Sequence, residues 1–341
     1  MNVKKIKSIR PMNFPWEAQD PFLFCAYHKD FYPKGNDSMG PDPQMLAGRN
    51  IGSDFTIKDG WRMYHGQHVP GFPYHPHRGF ETITINKQGI VDHTDSLGAA
   101  GRFGEGDVQW MTAGKGIQHS EMFPLVNVDE ANTLEIFQIW LNLPKVSKFV
   151  EPHFKMLWKD SVPNVSISDE NGKTTFVDVI AGELNGTNAP EPTPNSWASD
   201  TNNLVNVWTI KMEAGAEWTI PGAKDDVNRV LYYYEGGTIT LADEDINKES
   251  IVHLHSMEDI NIKNGSEESY FLMLQGRPIK EPVAQHGPFV MNTSEEIYEA
   301  FEDYQRTEFG GWPWEDREQV HDRSAGRFAK HADGREEIPE G

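Results

Sequence analysis

The 341-residue chain is short of three things: it has one cysteine, 31 Lys and Arg against 52 Asp and Glu, and no apolar run of bilayer-spanning length. A single cysteine excludes an internal disulfide and fits a reducing compartment, and Cys25 reads as a small buried apolar residue rather than a nucleophile. The formal charge of -21 opposes binding to polyphosphate or to an anionic membrane surface, so neither direct nucleic-acid binding nor a membrane role is expected. The opening MNVKKIKSIRPMNF has basic residues but no apolar stretch of signal-peptide length after them, and the expected location is cytoplasmic.

What is present describes a globular protein. Hydrophobic residues make up 37% of the chain, and the length suits two domains, each with its own core. Segments rich in β-branched and aromatic residues recur over the first 280 or so residues, among them ETITI, DVQWM, LEIFQIWLNL, NLVNVWTIKM and RVLYYYEGGTITL. Gly, Asn and Asp separate them, which reads as an antiparallel all-β sandwich or barrel. The prolines of NLPKVSKFVEPHFKMLWKDSVPN suit an extended connector, with a boundary near residue 150. In NTSEEIYEAFEDYQ, Thr293 or Ser294 can cap a helix, and Ile297, Phe301 and Tyr304 share one face. Beyond FGGWPWED the chain is polar and mixed in charge, which predicts an arm or a disordered tail over about the last 20 residues.

The chemistry concentrates in two segments. In HPHRGFET, His75 and His77 stand two apart, so an extended chain points both to one face, and Pro76 favours that extension. In GDVQWMTAGKGIQHSEMF, His119 and Glu121 have the same spacing. Three imidazoles and a carboxylate can form a site for one divalent first-row metal, with Fe, Cu, Ni and Zn all compatible with imidazole. Four protein ligands leave an octahedral ion two positions for exogenous molecules, as a catalytic site requires. His65, His68 and His93 read as partly exposed polar residues, with ligand orientation as the alternative. Trp110, Met111, Phe80 and Phe123 read as core, with a pocket lining as the alternative. His253 and His255 repeat the H-x-H spacing, but no H-x-E pair follows them, and the second half is expected to lack a metal site.

HPHRGFET followed by GDVQWMTAGKGIQHSEM resembles the signature of the pirin family, a branch of the cupin superfamily, and the likeness extends through IFQIWLNLP and VEPHF to GPFVMNTSEEIYEAFEDYQRTEFGGWPW. The resemblance implies an all-β bicupin: two barrels of double-stranded β-helix type, with a short C-terminal helix and a polar tail. The domains expected are a metal-binding barrel over 1–150, a barrel without a metal over 151–290, and helix and tail over 291–341. The family's ligand positions fall on His75, His77, His119 and Glu121. Glu81 stands where many cupins carry a ligand carboxylate, but the pirin pattern puts that ligand at Glu121. The implied cofactor is one divalent ion, Fe(II) first, with Cu, Ni, Mn, Co or Zn as alternatives.

The implied activity is quercetin 2,3-dioxygenase, opening a flavonol ring with dioxygen, in which Glu121 could also take the proton of the substrate hydroxyl. The alternatives are a metal- or redox-sensing regulatory protein acting through contacts with a protein partner, and a metal-dependent isomerase or other cupin enzyme acting on a different small molecule.

Overall fold

A computed structural model describes residues 4–340 as two compact units, each discontinuous in sequence. Of these residues, one unit contains 4–26, 140–142 and 160–280, and the other contains 27–139, 143–159 and 281–340. This differs from a single boundary near residue 150, for two reasons. Ile6–Pro11 pairs antiparallel with Ser250–Leu254, so the N-terminal segment is a strand of the second barrel. The C-terminal helix and tail fold with the first.

In the unit holding the histidines, one sheet runs in the order Glu336–Glu337, Phe328–Lys330, Ala100–Gly104, Ile90–Asp95, Ile117–Met122, Gly71–His77. The other places His153–Leu157, Val108–Thr112, Phe80–Gln88, residues 132–139 and residues 27–32 side by side. Part of the expected connector is thus a true strand, His153–Leu157, laid against Val108–Thr112. Alternating residues of both sheets meet in a core that includes Val91, Phe103, Phe123, Leu134, Ile136 and Phe154.

The tail is ordered. Phe328–Lys330 pairs with Ala100–Gly104, and Ala329 is fully buried. Arg102 pairs with Asp92 through two bonds of 2.7 Å and donates to the carbonyls of His321, Asp322 and Ala325. Of the arm and the disordered tail that the polar composition left open, the structure has an ordered arm, which supplies edge pairing and partners for a buried guanidinium.

The helix spans Ser294–Thr307, with Thr293 as N-cap and Glu296 completing a capping box. Ile297 and Ala300 are buried, with Phe301 and Tyr304 packed beside them against Phe289, Met291 and Phe309. No helix of the described residues is long and apolar enough to cross a membrane.

The second unit has a seven-stranded and a four-stranded sheet around an apolar core. Trp208, Leu231, Tyr233, Phe271 and Met273 lie on its inner face. Cys25 is fully buried, as read from the sequence.

Candidate metal centre

Gly71–His77 and Ile117–Met122 are neighbouring antiparallel strands with His75 directly opposite His119. A one-residue bulge between Phe72 and His75 shifts the register, so Glu121 lies opposite Phe72. On its other side the Ile117–Met122 strand meets Ile90–Asp95, pairing His93 with Glu121 and Asp95 with His119. Period-two alternation puts all of these on one face.

The structure brings three of the four expected ligands together. The candidate ligand atoms of His75, His77 and His119 lie within 4.8 Å of one another, with His77 and His119 buried and His75 partly exposed. Glu121 adjoins this trio, its Oε2 4.0 Å from His119 Nε2. Its carboxylate is clamped from the facing sheet, where Thr84 Oγ1 donates to Oε1 at 2.9 Å and Gln138 Nε2 to Oε2 at 2.8 Å.

Burial holds the three imidazoles in their neutral form. It lowers the His75 pKa to about 4, against a smaller opposing effect of the bond to Pro73, and pushes His77 and His119 well below their usual value. His75 Nδ1 lies 2.9 Å from the Pro73 carbonyl and His77 Nδ1 3.4 Å from that of Pro288. A carbonyl only accepts, so these nitrogens carry the proton and each Nε2 keeps its lone pair. Burial raises the Glu121 pKa, against the bonds from Gln138 and Thr84 and the nearby His93.

The donor set fits a divalent cation. Both ring nitrogens of His119 are buried with no hydrogen-bond partner. Leaving a buried polar atom unpaired costs about 1–3 kcal/mol, and a cation that took the lone pair would remove part of that cost. Neutral imidazoles and an adjoining carboxylate suit Zn, Cu, Fe or Ni about equally.

Glu81 is elsewhere. It is fully buried, accepts from Thr112 Oγ1 at 2.6 Å, and alternates with Thr84 on its strand, so it occupies the opposite face from the residue that reaches Glu121. Trp110 stands opposite Ile83 and shares the Glu81 face, whereas Met111 stands opposite Thr82 on the site's face. Phe80 packs 5.0 Å from His77, and Phe123 belongs to the core cluster. His65 and His68 are exposed.

His93 departs from its reading as partly exposed: it is fully buried, 5.6 Å from His119 between ring centroids, and stacks on Phe154 at 4.8 Å. Its Nε2 lies 3.3 Å from Asp95 Oδ2. A carboxylate beside a histidine is a common second layer around a metal ligand, and the sequence offered its signal in the H-x-D of VDHTDS. Thr84 and Gln138 were missed entirely. The available signal was a polar residue at an inward position of a strand, which becomes visible only once the inward face is known.

Two family models match parts of the chain, one described as pirin over residues 16–141 and one as the pirin C-terminal cupin domain over 207–310. Pirin-1 of Arabidopsis thaliana is 38% identical over 242 residues, 70% of this chain and 78% of that protein. Human pirin is 34% identical over 255 residues, 72% of this chain and 80% of its own length. The chain belongs to the pirin family. Its fold agrees with that membership: the crystal structure of quercetin 2,3-dioxygenase from Acinetobacter baumannii superposes on this pirin-family chain with a TM-score of 0.69 at 28% identity, covering 90% of this chain and 99% of that one. The family's paired cupin domains account for the two β units.

Proposed function

We propose that this chain is a metal-dependent dioxygenase of the quercetin 2,3-dioxygenase type, acting on a flavonol or a related small aromatic, with Fe(II) held by His75, His77, His119 and Glu121 in the first of two cupin domains. The observation that carries the reading is the convergence of three neutral imidazoles, two of them buried and one partly exposed, beside a clamped carboxylate. The likeness to a solved quercetin 2,3-dioxygenase supports the substrate class.

A divalent ion bound there would supply Lewis acidity toward a flavonol hydroxyl and a redox partner for dioxygen. The protein's own part is arrangement. Pro73 and Pro288 fix the tautomers of His75 and His77, and Thr84 with Gln138 sets the plane of the Glu121 carboxylate. Phe72 and Phe80 lie beside His75 and His77, with ring centroids 6.3 and 5.0 Å away, and these apolar neighbours suit a flat aromatic. The raised proton affinity of Glu121 equips it to receive the substrate's hydroxyl proton.

The test is the iron-loaded protein mixed with quercetin, with and without dioxygen. Loss of the flavonol absorbance, matched by oxygen uptake and abolished by His75→Ala, is the expected outcome. Absence of any reaction at full iron occupancy would overturn the proposal and favour a sensing role. Unchanged turnover by Glu121→Gln at full occupancy would remove Glu121 as proton acceptor.

A further inference from the structure

The second cupin domain carries an unneutralised charge. In its seven-stranded sheet Arg229 stands opposite Gln275, Leu231 opposite Met273 and Tyr233 opposite Phe271. Leu231, Tyr233, Met273 and Phe271 belong to the core, so by alternation Arg229 lies on the same inner face, one residue pair toward its end. Arg229 is only 2% exposed.

Its hydrogen bonds are incomplete. Arg229 Nε donates to Gln275 Oε1 at 2.7 Å, and Gln275 Nε2 in turn donates to the Leu204 carbonyl at 3.1 Å. Arg229 Nη1 is buried with no acceptor. The same is true of the indole Nε1 of Trp208, which stands opposite Met273 on the same inner face. Among the described residues no carboxylate forms an ion pair with Arg229. Asp259, on the exposed Asp259–Gly222 contact, acts on it only through space.

Both unpaired groups are donors, and one carries a full positive charge. Burying an ion without its counterion is costly, and a guanidinium cannot escape that cost by losing its proton near neutral pH. The missing complement is an acceptor with a single negative charge. A planar carboxylate matches the guanidinium fork, and a net charge of -21 disfavours a doubly charged phosphate over a singly charged carboxylate.

We propose that the inner face of the second cupin domain binds a small organic monocarboxylate, with the Arg229 guanidinium as its charge partner and the Trp208 indole N–H as a further donor. The site is separate from the histidine trio and does not depend on the dioxygenase reading.

The experiment uses full-length protein carrying His75→Ala, so that metal-bound carboxylate does not contribute, titrated calorimetrically with acetate and, in a separate run, with inorganic phosphate. Acetate is expected to bind at one site, more tightly than phosphate. Arg229→Gln should weaken acetate binding at least tenfold, and Trp208→Phe, which keeps the ring and removes the N–H, several-fold. Arg229→Lys, which keeps the charge and loses the fork, should retain part of the affinity and serves if the glutamine variant does not fold. Absence of acetate binding, equal preference for phosphate, or unchanged affinity in the foldable Arg229 variant would each overturn the proposal.

Discussion

Removing the Thr84 hydroxyl gives a sharp test of how the candidate metal centre is built. Thr84→Val keeps a β-branched side chain of nearly the same shape on a buried strand, so the packing of the Phe80–Gln88 strand should survive. What disappears is the donor 2.9 Å from Glu121 Oε1, leaving Gln138 as the donor to the other oxygen. A hydrogen bond to a charged group contributes about 1.5–3 kcal/mol. Its loss also leaves a buried carboxylate, already raised in proton affinity by burial, still readier to hold a proton. Both effects oppose cation binding, and outer-layer partners of this kind are typically worth about 10- to 100-fold in metal affinity. The assay is competition between the protein and a chelator for Fe(II) or Zn(II), with the melting temperature of the metal-free protein measured in parallel. Wild-type affinity in Thr84→Val, at an unchanged melting temperature, would refute the role of the clamp. Gln138→Leu should act in the same direction. The double variant should lose less than the two single losses combined, because Thr84 Oγ1 also lies 3.2 Å from Gln138 Oε1 and the three groups form one network.

Three further outcomes are expected. Gly79→Ala should destabilise the fold by more than about 1–3 kcal/mol, read from chemical denaturation, because Gly79 has φ +87° and a Cβ there would sit 1.9 Å from the Val290 carbonyl oxygen. Ending the chain after Trp314 should lower the melting temperature and promote association, since it removes the strand on Ala100–Gly104 and the carbonyls that Arg102 uses; a soluble monomer of unchanged stability would contradict the role given to the tail. Burial and the nearby Arg62 lower the His28 pKa to about 3. The unfolded chain therefore takes up a proton that the folded chain refuses, and between about pH 6.5 and 3 this histidine should cost about 1.4 kcal/mol of stability per pH unit of acidification. Denaturation across that range should show a shallower slope for His28→Gln, and identical slopes would remove His28 as a cause.

The sequence alone determined the residue types and spacings that make the candidate centre possible. His75 with His77 and His119 with Glu121 stand two apart in strand-forming segments, and a period of two is a local property of an extended chain. The same locality made the helix readable, since Thr293, Glu296 and the Ile297–Phe301–Tyr304 face are set by contacts within a turn or two. The alternating strands announced the all-β class.

Only the tertiary structure decided which strands meet. The pairing of Ile6–Pro11 with Ser250–Leu254, the return of Phe328–Lys330 to Ala100–Gly104, and the clamp of Thr84 and Gln138 on Glu121 join residues far apart in the chain. It also decided that Glu81 faces away from Glu121's clamp, and that His93, read as partly exposed, is buried beside His119. The physical reason is common to all of them. A strand's pattern fixes the alternation of its two faces, but which face turns inward and which neighbour it meets depends on a register and a partner chosen by the packing of the whole sheet.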